Sequence, residues 1–264
     1  MSSACLRSLA AFVACVAVGA HAASARELRV CADPDDLPYS NAAGAGFENR
    51  IAELVAADLH AQLRYAWAPL QRAFVRKTVG EGLCDVFIGV PAGFERVLTT
   101  RPYYRSSYVF VSRGAEPVTS FDDPRLARVH VGVQLIGNDL AATPPGHALA
   151  ARGAIDNVEG FTLMGERPAA ARMVDALVQG RIETALVWGP QAGYFAARAP
   201  VPLHIDIAHA PAELADLPFE FSISMGVARG KRALRDELDG VLARRAAEID
   251  AILAAYHVPR TDRP

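Results

Sequence analysis

The sequence has few of the patterns that mark an enzyme or a metalloprotein. Its seven histidines occur without an H-E-x-x-H or C-x-x-C companion, which argues against structural zinc. It has no G-x-S-x-G elbow and no P-loop, and Gly44-x-Gly46 lacks the third glycine of a dinucleotide-binding turn. Although a fold does not by itself fix a function, we expect a protein that is not an enzyme and that uses no metal and no cofactor.

An excess of charge of one sign is also missing. The 264 residues include 27 basic and 29 acidic side chains, so the formal net charge is −2 at pH 7. A mildly acidic chain gives no electrostatic reason to bind nucleic acid or an anionic membrane surface. Hydrophobic residues make up 52% of the chain and charged residues 21%, which is enough for a sizeable core in one large or two modest domains.

The apolar run near the N-terminus is short. It extends from Leu9 to Ala20, roughly 12 residues, whereas a membrane span needs about 20. Arg7 precedes the run, and small-residue A-x-A sites follow at 20–22 and 23–25, so residues 1–25 are predicted to be a secretory signal peptide with export to the periplasm. Cys15 would also suit a lipoprotein signal, but the apolar sequence continues past it, which favours soluble export without stable membrane insertion.

Cysteine is scarce in the predicted mature chain, where only Cys31 and Cys84 remain. An oxidising compartment would let them pair. We expect Cys31 near the end of one strand and Cys84 at the start of a parallel neighbour, an offset that separates the two too far for a bridge. This interpretation favours two buried thiols.

Buried strands alternate with helical patterns along the mature chain. The run CDVFIGV at 84–90, bounded by Gly82 and Pro91, is typical of a strand covered on both faces. Strand and helix patterns alternate before it, start again after Arg113, and end in one long helix, straight or bent, at 232–256. This order predicts α/β units with parallel strands and right-handed crossovers.

Two such units with two connections predict a bilobal α/β protein in which the second lobe is inserted into the first. Residues 26–111 and 219–264 are predicted to form lobe 1, and residues 112–218 lobe 2. The strand ends and polar turns around 84–110 have the layout of a ligand cleft in an open α/β sheet.

Several segments resemble the extracellular solute-binding proteins of the family-3 type, namely LRVCADPDDLPYS, GFENRIAELVAADL, GLCDVFIGVP, PYYRSSYVFVSR, VHVGVQLIGND and GRIETALVWGPQAGYF. More narrowly, VPAGFERVLTTRPYYRSSYVFV, ATPPGHALAARGAIDNV and VWGPQAGYF resemble the MoxJ/XoxJ group, periplasmic proteins that accompany PQQ-dependent methanol dehydrogenases. The resemblance implies a type II periplasmic-binding-protein fold, with two α/β lobes joined by two hinge crossings. It also implies an accessory role in activation or maturation of a quinoprotein alcohol dehydrogenase.

The sequence departs from the amino-acid binders of this family at their ligand positions. Trp188-Gly189-Pro190 stands where those proteins have an Asp for the ammonium group, and Asp36 stands where they have a stacking aromatic. Arg96 lies near their carboxylate-binding arginine in a shortened turn, where it pairs equally well with an anion or with Glu95. Since a buried unpaired charge costs several kcal/mol, an ammonium would lose its counter-ion and standard amino acids are disfavoured.

The candidate residues of a ligand or partner cleft follow from these strand ends. They are Asp33, Asp36, Trp67, Pro91, Arg96, Gln134, Asn138, Asp139, Trp188 and Gln191. Several have a structural alternative: Asx turns for the aspartates, a helix cap for Asn138 or Asp139, and core packing for Trp67. For Trp188 the cleft and the core are equally good alternatives.

Three functions are compatible with this pattern. The first is the dehydrogenase-associated accessory protein, whose cleft would receive a partner segment, PQQ or metal-related cargo. The second is a transport receptor for a small solute that is not a standard amino acid, and the third is a hydrolase or dehydratase. The third requires a carboxylate with a raised pKa in the cleft, for which Glu48, Glu95 and Asp139 are the candidates.

Overall fold

The computed structural model describes residues 26–70, 74–136, 141–162 and 167–262. The predicted signal peptide, residues 1–25, and two predicted cleft residues, Asn138 and Asp139, lie outside these ranges. No helix within the described ranges is both long and apolar enough to cross a bilayer.

The longer strands and helices follow the order predicted from the sequence, whereas the two-residue strands between them were not predicted. The strands are β1 (Glu27–Ala32), β2 (Asp35–Asp36), β3 (Ser40–Asn41), β4 (Gln62–Trp67), β5 (Val86–Pro91), β6 (Leu98–Thr99), β7 (Tyr104–Arg113), β8 (Val131–Ile136), β9 (Ala141–Ala142), β10 (Val158–Thr162), β11 (Thr184–Trp188), β12 (Leu203–Ile207) and β13 (Glu220–Val227). The helices are α1 (Phe47–Asp58), α2 (Phe74–Lys77), α3 (Pro144–Ala151), α4 (Ala169–Val178), α5 (Gly189–Ala196), α6 (Arg232–Arg244) and α7 (Ala246–Ala255). Short 3₁₀ turns occur at Pro124–Ala127 and Ala212–Leu214.

The main sheet runs in the order β10-β8-β11-β7-β13-β5-β1-β4. The strands at each end of this order are parallel to one another, as predicted. Strand β1 pairs with β4 and β5 at one end, and β8 pairs with β10 and β11 at the other. The two central strands, β7 and β13, are antiparallel to each other and to their outer neighbours. The parallel βα units therefore flank an antiparallel centre.

Separate hydrophobic cores lie on the two sides of this centre. The first core is built around α1, α6 and α7, with Phe47, Ile51, Met225 and Leu238 among its fully buried side chains. The second side has two clusters, one beneath α4 and one beneath α3. Because each side buries its own apolar surface, the molecule consists of two α/β lobes.

Strands β7 and β13 carry the chain between the lobes. Strand β7 starts at Tyr104 in the first core and ends among the clusters of the second lobe, where Val109 and Phe110 are buried. Strand β13 follows Phe219, which packs in the second lobe, and enters the first core at Ile223. The crossings therefore lie within paired strands, and the predicted limits at 111/112 and 218/219 stay a prediction.

The C-terminal helical segment breaks at Arg245, which separates α6 from α7. The Asp58 carboxylate, at the end of α1, accepts hydrogen bonds from Arg244 and Arg245. These two ion pairs hold the pKa of Asp58 below its usual range. The helix end of α1 is thus attached to the α6–α7 junction, on the side of lobe 1 that covers the sheet.

The prediction of two free thiols was wrong, because Cys31 and Cys84 form a disulfide with Cα atoms 5.5 Å apart. Strand β5 begins at Val86 rather than at Cys84, and the chain bends at residues 83 and 85. The Arg29 guanidinium holds this bend beside β1 through hydrogen bonds of 2.8 and 3.1 Å to the Asp85 carboxylate. Cys84 therefore departs from the strand direction and reaches Cys31.

We expect the double substitution Cys31→Ala with Cys84→Ala to lower the free energy of unfolding by about 2–4 kcal/mol, since the bridge closes a loop of 53 residues. Urea unfolding monitored by circular dichroism measures the change. The parent protein, once reduced with dithiothreitol, serves as the control and should match the double variant. Equal stability of the oxidised parent and the variant would contradict the prediction.

Candidate binding cavity

A cavity of about 360 Å³ lies where the two lobes meet, with β7 and β13 contributing to its wall. Lobe 1 supplies side chains from the loop after β1, from the start of α1 and from β5. Lobe 2 supplies side chains from β8, from the end of β11 and from the start of α5. The lining residues are Asp33, Asp36, Tyr39, Ser40, Glu48, Leu70, Phe87, Gly89, Val90, Pro91, Tyr104, Tyr108, Gln134, Ile136, Trp188, Gln191, Phe221 and Ile223.

The loop after β1 is fixed to the first turn of α1 by backbone hydrogen bonds. The N–H groups of Phe47 and Glu48, which have no partner within the helix, donate to the carbonyl oxygens of Pro38 and Tyr39 at 2.8 and 2.9 Å. Gly46 lies against this loop so closely that a Cβ atom there would meet the Tyr39 carbonyl oxygen at 2.0 Å. This docking brings the acidic loop next to the Glu48 side chain.

Asn49 strengthens the same junction from within the helix. Its Oδ1 accepts hydrogen bonds from the backbone N–H groups of Gly46 and Asn41, both at 3.0 Å. The bond back to Gly46 is one half of a capping box. Because Asn49 is fully buried, the loop and the helix start are held together as one unit.

Glu48 projects from this helix start over strand β5. A Cβ atom at Gly89 would lie 2.0 Å from Glu48 Oε1, so the absence of a side chain at Gly89 leaves room for the carboxyl group. Glu48 is 8% exposed, and no described residue hydrogen bonds to its carboxyl group or forms an ion pair with it. Glu48 is therefore a buried acid to which the described part of the chain offers no partner.

The environment of the two acids favours their neutral forms. Burial, with a smaller contribution from the charge of Asp36, raises the pKa of Glu48 from 4.5 to about 8. Burial also raises the pKa of Asp36 from 3.8 to about 7, and the nearby Asp33 and Asp35 add to the effect. Shifts of this direction occur where a carboxyl group loses water without gaining a cation.

Aromatic rings form much of the remaining wall. Trp188, at the end of β11, is held edge-to-face between Tyr108 and Phe221, with ring centroids 5.4 and 5.6 Å away. Burial raises the pKa of Tyr108 to about 12 and the pKa values of Tyr39 and Tyr104 well above their usual range. These phenols are therefore neutral hydroxyl groups at any physiological pH.

Two amides face the acids from the second lobe. Gln134 ends the buried part of β8, and Gln191 lies in the first turn of α5, directly after Trp188-Gly189-Pro190. They are 6% and 8% exposed, and neither side chain has a hydrogen-bond partner among the described residues. As far as the described residues go, both amides are open to a hydrogen bond from a bound molecule.

Most of the predicted cleft residues that the structure describes meet around this cavity. Asp33, Asp36, Pro91, Gln134, Trp188 and Gln191 all line it. Their role in binding stays a prediction.

Trp67 and Arg96 lie elsewhere. Trp67 sits on the edge strand β4, where it stacks on Tyr65 with ring centroids 4.4 Å apart. Arg96 is exposed in the turn after β5. Strand alternation and turn geometry direct both side chains away from the cavity.

The cavity has carboxyl groups at positions other than that of the missing aspartate. The loss of the Asp before Pro190 suggested that an ammonium group would have no counter-ion, but Asp36 and Glu48 line the same cavity. The sequence identified Glu48 only as one of three candidate carboxylates for a hydrolase or dehydratase. The signal that identifies it is its position in the first turn of α1, right after a loop that must fold back to cap that helix.

The acidic loop itself is organised by an Asx turn, as its sequence predicted. Asp33 Oδ1 accepts a hydrogen bond from the Asp35 N–H at 2.9 Å, and Asp33 Oδ2 accepts one from the Leu70 N–H. Within the described ranges, no group of three or more His, Cys, Asp or Glu side chains is arranged to hold a metal ion.

Two α/β lobes on a shared central strand pair, with a cavity between them, define a type II periplasmic binding protein. The chain is 32% identical to Protein MoxJ of Paracoccus denitrificans over 250 residues, which cover 90% of each sequence. It thus belongs to the MoxJ/XoxJ family. No protein-family model matches it.

Solved structures agree with this assignment. The crystal structure of the periplasmic binding protein XoxJ from Methylobacterium extorquens AM1 matches with 35% identity and a TM-score of 0.74, covering 88% of this chain and 98% of that one. The structure of MxaJ from Methlophaga aminisulfidivorans MPT matches with 26% identity and a TM-score of 0.78, covering 88% and 99%. The likeness extends over both lobes.

We expect Glu48→Gln to stabilise the protein at alkaline pH. The folded state keeps Glu48 protonated up to a pKa of about 8. The unfolded chain ionises near the ordinary value, so the stability of the parent falls as pH rises between these two values. The variant should exceed the parent by a few kcal/mol (about 2–4) near pH 8.5 and should match it near pH 4.

Thermal unfolding at several pH values measures this difference. Glu53→Gln on the exposed face of the same helix is the matched control, and it should leave the pH profile unchanged. The same advantage of Glu48→Gln at both pH extremes would show that Glu48 does not titrate as described.

Proposed function

We propose that this chain is a periplasmic accessory protein that associates with a PQQ-dependent methanol or alcohol dehydrogenase and acts in its activation or maturation. The observation that carries the proposal is identity of 32% and 35% to MoxJ and XoxJ across nearly the whole mature chain. The resemblance of the sequence to the MoxJ/XoxJ group implies a protein that accompanies such dehydrogenases. The predicted signal peptide at 1–25 would deliver the chain to the compartment in which a periplasmic partner resides.

The rim of the cavity supports association with a partner segment. Leu70 from lobe 1 and Ile136 from lobe 2 line the cavity and are 52% and 41% exposed. Large exposed apolar side chains on both edges of a cleft are typical of a protein–protein interface, because their burial against a partner is favourable. The cleft is thereby able to hold a segment of another protein from two sides.

A transport receptor is the second candidate, and the inter-lobe cavity favours it. Its volume lies within the roughly 300–1,000 Å³ that is usual for small-molecule sites. A bound solute would stabilise the folded protein, and this stabilisation would grow with the logarithm of the ratio of its concentration to the dissociation constant. A raised pKa at Glu48 also meets the minimum requirement of the hydrolase hypothesis, but the relatives are binding proteins, which favours binding over catalysis.

The proposal predicts a complex between the mature chain and its dehydrogenase. Purified chain is mixed with the dehydrogenase in metal-loaded and metal-free forms, and the products are measured by native mass spectrometry. We expect a complex with at least one form. A monomeric chain with every form would refute the accessory role, and a monomer that carries a small-molecule mass would support the transport receptor.

Substitutions at the rim sharpen this test. Leu70→Asp and Ile136→Asp should weaken the complex by about tenfold or more, since each places a charge in the proposed interface. Leu83→Asp and Ile155→Asp are matched controls, because these side chains are at least as exposed and are absent from the described lining of the cavity. Equal effects of all four substitutions would place the interface elsewhere.

A further inference from the structure

The cavity contains a buried acid, Glu48, and a half-buried acid, Asp36, and its described lining supplies no cation that would neutralise them. Neither the Glu48 nor the Asp36 carboxyl group has a hydrogen-bond donor or an ion-pair partner among the described residues. No Lys, Arg or His belongs to the described lining. Burying such groups is unfavourable unless something compensates for it, so the pair points to a positively charged ligand.

Neither Glu48 nor Asp36 has a role in holding the fold together that would explain its presence in the cavity. Glu48 does not cap α1, because the first-turn N–H groups are taken by the carbonyl oxygens of Pro38 and Tyr39. Asp36 accepts no bond through its side chain, whereas Asp33 in the same loop accepts two. The turn is thus held by Asp33, and Asp36 is left facing the cavity.

Aromatic faces surround the same space. Six aromatic side chains line the cavity: Tyr39, Phe87, Tyr104, Tyr108, Trp188 and Phe221. A ring face attracts an organic cation through its quadrupole, and a tryptophan face does so most strongly. The fixed edge-to-face contacts of Trp188 with Tyr108 and Phe221 hold this wall in place before any ligand arrives.

We propose that the cavity binds an organic ammonium ion that carries no carboxylate, with Glu48 and Asp36 as its counter-ions and the aromatic side chains around its alkyl part. The shared chemistry is an alkylammonium group, supplied either by a free amine or by a lysine side chain of a partner protein. Gln134 and Gln191 contribute hydrogen bonds from the opposite lobe. The inference does not depend on the dehydrogenase partner, because the cavity lies entirely within this chain.

The proposed ligand carries no carboxylate because the charged groups of the described lining are acidic. A carboxylate placed beside Glu48 and Asp36 would meet like charges and, in the described lining, no basic side chain. A simple amine carries the complementary charge alone. The cavity therefore discriminates between an amine and an amino acid through repulsion as well as attraction.

Ionisation of the acids couples binding to pH. A cation requires the ionised forms, so affinity should rise from about pH 6 to about pH 9 as Asp36 and Glu48 lose their protons. The titratable groups that interact electrostatically with these two acids are Asp33, Asp35, Tyr39, Tyr65, Tyr103 and Tyr104. The phenols remain neutral across this range.

Isothermal titration of the mature chain tests the proposal. The probes are tetramethylammonium chloride and n-butylammonium chloride, with n-pentanol as the neutral analogue and γ-aminobutyrate as the carboxylate-bearing one, all at constant ionic strength. We expect saturable binding of at least one cation. The affinity for each of the two analogues should be lower by about tenfold or more. Tetramethylammonium keeps its charge at every pH, so its affinity reports ionisation of the protein alone.

Variants connect the binding to the named acids. Glu48→Gln and Asp36→Asn should each reduce cation affinity about tenfold or more and flatten its pH dependence. Glu53→Gln is the matched control on α1, and melting temperatures verify that each variant is folded. Gly89→Ala is an independent probe, because its methyl group would displace the Glu48 carboxyl group while the acid itself remains.

A lysine derivative distinguishes the two sources. Binding of Nα-acetyl-lysine methylamide without binding of the simple cations would support a lysine of a partner protein, and the reverse would support a free amine. Either outcome supports the ammonium site. Absence of saturable binding by all three cations, or equal affinity for n-pentanol, would overturn it, and neither result would bear on association with the dehydrogenase.

Discussion

The antiparallel pairing of β7 with β13 is the constraint on which the rest of the structure depends. Both strands leave one hydrophobic core and enter the other, so the hydrogen bonds between them join the lobes. Because side chains alternate along a strand, Tyr104 and Tyr108 share one face of β7, and Phe221 and Ile223 share one face of β13. All four line the cavity, so the strands that connect the lobes also form part of the site.

The polar contacts around the cavity divide into those that build it and those left open. Backbone carbonyl groups of the loop cap α1, Asn49 closes the same junction, and Asp33 holds the turn. Glu48 and Asp36 take no part in this network and retain raised pKa values. In native structures, buried polar groups usually have hydrogen-bond partners. A cavity in which several such groups lack partners is therefore a candidate binding site.

Local pattern was sufficient for the elements and their order. The apolar run before Pro91 and the 3.6-residue period after Gly46 each depend on neighbours within a few residues, so they were readable in the sequence, whereas the break at Arg245 was left open. The cysteine prediction failed for the opposite reason. Strand β5 starts two residues later than its apolar run suggests, and a bend held by Arg29 and Asp85 decides the distance between Cys31 and Cys84.

The sequence by itself determined the α/β class, the two-lobed organisation and, through its motifs, the family. Only the tertiary structure decided that Glu48 joins Asp36 in the cavity. Asp36 and Glu48 are 12 residues apart on different elements, and they come together because the loop must fold back to satisfy the free N–H groups of α1. Such long-range consequences of hydrogen-bond satisfaction have no local sequence signature, whereas strand and helix periodicity does.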